Sequence, residues 1–286
     1  MYTLGYRGAA IVSGAGALVL ADQGVSWSLV YLLMGALMIV GVLATIFGPE
    51  PVAVAPPRTL RAAVVEPFQE FFSRKGAIAA IGLVMLYKFG DYMAAEMTTP
   101  FLMKSGFSKT EIAGVLKGIG MVATIAGAVV GAGLVASLGV RRSMLAFGVL
   151  QALMNTGYLA IAIVGNKFAL LVTAITADWF CGGVAQSAMT AYVMSLCNRR
   201  FSATQYALFA SASTLLGRSV GAFSGFIVAA AGWKIYFGLT MVVAIPGLLL
   251  LLFGPVERAV VPVEAPKPDA PKPETSKPDA PKSATA

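Results

Sequence analysis

Histidine is missing from the chain and cysteine occurs only twice, so most metal sites and Cys/His nucleophile chemistry are excluded before any motif is sought. Cys181 and Cys197 fall on one expected helix, about 24 Å apart at 1.5 Å per residue, and cannot pair with each other. Charge is scarce as well: 12% of the 286 residues, where a soluble domain carries about 25%. Eight of the charged residues lie in positions 260–286, which leaves long uncharged runs before them. With 58% apolar side chains and a mean hydropathy of +0.80, the chain belongs in a bilayer. The formal charge of +8 does not point to nucleic acid, because Lys and Arg cluster at the ends of apolar segments, as topogenic charge does.

What is present is apolar length. Eight segments can cross roughly 30 Å of hydrocarbon: Thr3 to Ala21, Ser28 to Phe47, Ala77 to Leu102, Ala113 to Leu138, Met144 to Val164, Phe168 to Cys197, Ala203 to Ala230 and Ile235 to Phe253. The first is not a signal peptide, since Arg7 sits inside it and seven more spans follow. With a cytoplasmic N-terminus, the loops on that side hold Arg58, Arg61, Arg74, Lys75, Arg141, Arg142, Arg199 and Arg200. The other side holds Lys104, Lys109, Lys167 and Lys234, so both termini are expected inside. Between spans two and three, Val64, Phe68, Phe71 and Phe72 fit a short amphipathic helix lying on the membrane surface. Beyond Val260 the Pro- and Lys-rich sequence has nothing to bury and reads as an extended, disordered tail.

An internal repeat organises the spans. Arg7 is followed by Ser13-Gly14, and Arg218 at the same distance by Ser224-Gly225; Trp27 precedes Phe47-Gly48-Pro49 by the 20 residues that separate Trp233 from Phe253-Gly254-Pro255. Spans one and two thus resemble spans seven and eight. An even number of spans separates the copies, so the repeat is parallel, which is the plan of the major facilitator transporters. The expected fold is an all-α membrane protein, a facilitator-like bundle of about eight transmembrane helices. On that plan residues 1–47 are the last two helices of an N-terminal bundle, 48–76 the cytoplasmic central loop, 77–259 a complete C-terminal six-helix bundle, and 260–286 the tail. Four helices are then expected ahead of Met1, and the chain alone is expected not to transport. Gly131, Gly133, Gly139, Arg141 and Arg142 also resemble the second-half version of the facilitator cytoplasmic loop motif.

Ionisable groups at mid-bilayer cost on the order of 3 kcal/mol each and call for a partner, a wet cavity or a function. Span three holds Lys88, Asp91 and Glu96. Lys88 and Asp91 share a face and can neutralise each other. Glu96 is turned about 140° away from Asp91, so the two acids do not share a site unless the helix breaks at Gly90. In span five, Gln151, Asn155 and Tyr158 form a polar stripe suited to a hydroxyl- or amide-rich solute, or to bonding between helices. Asp178, Gly182 and Gln186 step along span six; Ser211, Thr214 and Arg218 share a face of span seven. Arg218 needs an anion, which Asp91, Asp178 or a substrate carboxylate could supply. With the acids scattered over separate helices and no histidine, there is no acid/base constellation of an enzyme, and no metal or cofactor is called for.

Leu86 to Asp91 reads LYKFGD, Ala123 to Gly133 ATIAGAVVGAG, Phe147 to Tyr158 FGVLQALMNTGY, and Leu196 to Leu208 LCNRRFSATQYAL. Together with Gly5-Tyr6-Arg7, Cys181-Gly182-Gly183 and Pro246-Gly247-Leu248, the sequence resembles the AmpG-type muropeptide permeases from about Gly5 to Phe253. The resemblance implies proton-coupled import of anhydromuropeptides across the bacterial inner membrane for cell-wall recycling, with muropeptide, protons and membrane lipid as partners and no nucleic acid. A mid-span carboxylate beside a lysine can exchange its proton for the ion pair, so Asp91 is the expected proton-coupling residue, followed by Asp178 and then Glu96. Lys88, Lys117, Gln151, Asn155, Tyr158, Gln186 and Arg218 are the expected substrate-binding residues. The alternatives are a non-transporting fragment, half of a split facilitator partnered by the N-terminal helices as a separate chain, or a facilitator for another sugar-like or peptide-like solute.

Overall fold

A computed structural model describes residue 9 and residues 12–48 and 59–261. Arg7, Arg58, the Pro-rich start of the central loop and the tail after position 261 lie outside the described residues, as does the side chain of Arg218. Helices make up nearly all of what is described, and no strand occurs there.

Six helical runs are long and apolar enough to cross a membrane. Trp27–Phe47, here α1, begins at the cap of Ser26, whose hydroxyl accepts from Leu29 N at 3.4 Å. Val30 is its one buried residue among those described, so nearly all of its apolar surface faces outward. Leu60–Phe72 (α2) is capped by Thr59, which accepts from Ala62 N at 3.1 Å. Span three is two helices, Ala77–Leu86 (α3) and Phe89–Lys104 (α4). Lys109–Leu138 (α5) is continuous but relaxes into a π-helical segment over Gly114–Gly120. Span five divides at Asn155 into Val140–Met154 (α6) and Thr156–Val164 (α7). Phe168–Leu196 (α8) is unbroken and carries buried residues along its whole length.

The last candidate span, Arg199–Phe253, has 55 residues, about 80 Å of helix and far more than one crossing. Within Ser202–Val243 (α9) the chain turns at Gly232, whose φ of 78° and ψ of 170° are outside the helical region and suit glycine alone. A further break at Ala244 precedes Ile245–Phe253 (α10). The kink separates the two crossings read from the sequence as spans seven and eight.

Close packing depends on residues without side chains. A Cβ at Gly127 would run into the backbone of Phe180, and one at Gly183 into the carbonyl of Thr124. α5 and α8 therefore touch backbone to backbone, as small residues allow in membranes. Of the loop-motif glycines, Gly131 packs on Val184 while Gly133 faces open space.

The expected surface helix exists as α2, but it is docked on the bundle rather than lying free. Phe71 is wholly buried and meets Phe209 edge-on at 4.9 Å, while Val64, Phe68 and Phe72 remain exposed. A polar clasp fixes it. Arg74 donates to Leu196 O at 2.7 Å, to Ala259 O at 3.0 Å and to Glu70 at 2.6 Å. Gln205 donates to Glu70 at 2.6 Å and to Pro67 O at 3.1 Å, and its own carbonyl accepts from Asn198 N at 2.7 Å. Burial pushes the Glu70 carboxyl up, but hydrogen bonds from Arg74, Gln205 and Asn198 and the Arg74 charge outweigh it and hold the group below its ordinary value.

The buried apolar residues fall into two clusters, one around Leu83, Met144, Ala188 and Phe209, the other around Phe101, Ile161, Ile175 and Phe237. Along spans three, five and six the polar residues Lys88 and Asp91, Gln151 and Asn155, and Asp178 fall between the two. The bundle is therefore an apolar layer at each end with a polar layer across its middle.

Candidate functional site

The polar layer lines an open cavity of about 420 Å³. Lys88, Asp91, Lys117, Gln151, Asn155, Tyr158, Asp178 and Gln186 all line it, which joins eight of the ten residues singled out from the sequence. Glu96 is not among them. Its side chain packs against Gly221 of α9, the opposite face of the helix, as the angular offset from Asp91 requires. Arg218 falls in α9, and where its side chain points lies outside what is described.

The helix geometry changes at the level of this cavity. Span three breaks at Tyr87 and Lys88, the latter at φ −108° and ψ 12°, two residues before the break considered at Gly90. Gly90 has a different duty: a Cβ there would strike the carbonyl of Thr240, so its lack of a side chain lets α4 lie against α9. Span five breaks at Asn155, and the π-helical segment of α5 carries Lys117. Each irregularity frees backbone groups from the regular ladder, which membrane proteins tolerate only where the chain is buried or lines a cavity.

The electrostatics of the cavity rest on two carboxylates. Asp91 pairs with Lys88 at 3.2 Å, both side chains largely buried. Asp178, between the two apolar clusters on α8, accepts from Gln151 Nε2 at 2.8 Å and from the Tyr158 hydroxyl at 2.7 Å. Asp91, Lys88 and Asp178 all face the same cavity. The acids on separate spans thus belong to one site, a juxtaposition that sequence spacing did not reveal. Tyr158 is held for its task by stacking on Phe237, ring centroids 5.2 Å apart.

The stripe of span five divides by role. Gln151 and Tyr158 spend donors on Asp178, while Asn155, only 1% exposed, has neither amide atom hydrogen-bonded, and the Gln151 carbonyl oxygen is likewise unpartnered. A buried amide in that state costs on the order of 1–3 kcal/mol, and native proteins keep such groups chiefly where something binds. Trp179, Thr98 and Thr124 complete the wall. Trp179 drew no attention in the sequence; its position beside Asp178 was the available signal. No cluster of metal-ligating side chains occurs among the described residues.

The model of the Major Facilitator Superfamily matches residues 1–222. Over 251 residues the chain is 41% identical to the anhydromuropeptide permease of Escherichia coli (strain K12), with 87% of this chain and 51% of that protein covered. It is 32% identical over 259 residues to the putative transporter AmpG 4 of Rickettsia conorii, covering 87% of this chain and 62% of that protein. The chain therefore spans about half to three fifths of the length of these relatives. The likeness to AmpG-type permeases read from LYKFGD and LCNRRFSATQ is borne out. These bacterial relatives and the six apolar helices make the chain a multi-pass protein of a bacterial inner membrane. It belongs to the Major Facilitator Superfamily.

Proposed function

We propose that this chain forms the C-terminal wall of a transporter that imports anhydromuropeptides, driven by protons and working by alternating access about the central cavity. Residues 77–259 act as one six-helix bundle that rocks against the facing bundle of the facilitator plan; the role is transport, not catalysis. The observation that carries this reading is a cavity between the two apolar layers of the bundle that holds two carboxylates, a lysine partner and an unpartnered amide, at the level where the helices lose regularity. Asp91 exchanges its proton for the Lys88 ion pair as the cavity opens to each side in turn. Asp178 is the second proton-coupling group, and Glu96, on the far side of its helix, the third. Asn155, Gln151, Lys117, Gln186 and Arg218 bind the solute, with Lys88 and Tyr158 positioning the acids and meeting the solute where it reaches them. Arg74 and Arg141 both contact the end of the bundle beyond α10, at Ala259 and Glu257, and Arg199 and Arg200 lie there too, which supports a cytoplasmic placement of that end and of both termini.

The test is a chimera in which the matched segment of the E. coli permease is replaced by this chain, expressed in a permease-deficient bacterium. Cytoplasmic anhydromuropeptide should accumulate. Asp91→Asn in the chimera should abolish accumulation against a gradient at unchanged membrane abundance. A chimera that folds yet carries no muropeptide overturns the substrate; normal accumulation by Asp91→Asn overturns the coupling role.

A further inference from the structure

Beside the central cavity lies a second of about 170 Å³, and Lys88 and Gln186 line both. The two spaces differ in chemistry. The central one holds Asp91, Asp178 and Lys117 as well as Lys88. The second has Lys88 as its one charged lining residue among those described, and that ammonium is already paired with Asp91. Its other polar groups are the hydroxyls of Tyr92, Thr190, Tyr206, Ser213 and Thr214, with the ring of Phe209 as an apolar surface. These hydroxyls keep capacity to bind. Thr214 donates to Ala210 O at 2.8 Å and Ser213 to Val84 O at 3.2 Å, which leaves the oxygen lone pairs of each free to accept.

We infer that the two cavities are compartments of a single binding site: the central one takes the ionised part of the solute, and the smaller one takes a neutral, hydroxyl-rich ring. The Lys88–Asp91 pair and Gln186 form the divide, and the break at Tyr87 and Lys88 is what lets one residue face both spaces. A space of 170 Å³ is worth about five or six waters, enough for one pyranose ring. Hydroxyls set around an aromatic face suit such a ring, which offers donors and acceptors at its edge and apolar C–H on its faces. Desolvating an ionised carboxylate or ammonium there without a counter-charge would be costly, so the peptide part is directed to the central cavity. The inference rests on the muropeptide reading above and deepens it by assigning sugar and peptide to separate places.

Binding to the purified chimera in lipid nanodiscs, by calorimetric titration, tests it with two probes: a disaccharide–tripeptide anhydromuropeptide and the free tripeptide. Thr214→Val keeps side-chain volume and removes one hydroxyl while leaving the Gln186–Thr190 bond intact; Tyr206→Phe removes another and serves if the first unfolds, as judged by thermal melting. Each hydroxyl lost should weaken binding of the disaccharide–tripeptide roughly fivefold and leave the tripeptide unchanged. Equal loss for both probes, loss for neither, or parent affinities equal for the two probes would overturn the two-compartment site and leave the muropeptide reading standing. A parent chimera that binds neither probe refutes that reading and this inference with it.

Discussion

Two polar regions of this molecule are built from similar side chains and end in opposite states. The clasp between α2, the α8–α9 turn and the segment after α10 sets Glu70, Arg74, Asn198 and Gln205 in mutual contact, with the guanidinium bonded to two carbonyls and a carboxylate. The central cavity gathers two acids, two lysines and three amides around one space, yet leaves both Asn155 amide atoms and the Gln151 oxygen without partners. Completion is what a structural joint needs, since any group left over raises its energy. An unfinished network is what a binding site needs, because its spare groups are those a solute can complete. The same amide chemistry thus serves folding at one end and recognition at the centre.

The comparison breaks most sharply under Arg74→Ala. That change leaves Glu70 without its counter-charge and two buried carbonyls without a donor, and should cost about 3 kcal/mol, visible as a large drop in the melting temperature of the helical signal in detergent. Arg74→Lys should recover only part, because an ammonium cannot reproduce the forked contacts. A melting temperature unchanged by Arg74→Ala would mean that the clasp is ornamental and that completeness is no guide to structural duty.

Asn155→Ala probes the other region and should divide the effects the other way. No protein partner is lost, so stability should stay within about 1 kcal/mol of the parent, while uptake by the chimera falls about tenfold, the worth of one or two hydrogen bonds to solute. Loss of protein from the membrane in proportion to uptake would return Asn155 to the role of glue between helices.

Much of this was legible in the sequence, for identifiable reasons. Apolar length gave the spans, and rare mid-span charges marked Lys88, Asp91 and Asp178, because the bilayer makes each one expensive. That Asp91 and Asp178 line one cavity was not legible, since it follows from the packing of spans three and six and no spacing within either encodes it. The helix breaks were hidden for a related reason. Gly90 had the composition of a breaker, but its missing side chain serves the contact with Thr240, and the break falls at Tyr87 and Lys88, which carry no breaker signature. The motif LCNRRFSATQ was read as a family marker; Asn198 and Gln205 now give it a physical role, as two arms of the clasp.

The smallest expected effect sharpens the comparison through pH. Glu70 lies outside the membrane-crossing helices, and its carboxyl is held below its ordinary value by the hydrogen bonds and charge of the clasp, against the opposing influence of burial. A depressed folded-state value means that ionised Glu70 stabilises the fold at every pH above the unfolded value of about 4.3, and that this contribution fades as pH falls through the lower, folded value. Melting temperature should therefore hold level from neutral pH down to about 5 and decline below about 4. Glu70→Gln keeps an acceptor for Gln205 and Asn198 but cannot ionise, so it should melt lower at neutral pH and lose the Glu70 share of the acid decline, drawing the two curves together at low pH. The remaining carboxylates are common to both proteins and cancel in the difference. If the gap between the curves is as wide at pH 3 as at pH 7, the ionised state of Glu70 is not what closes the clasp, and the joint depends on shape and neutral hydrogen bonds instead.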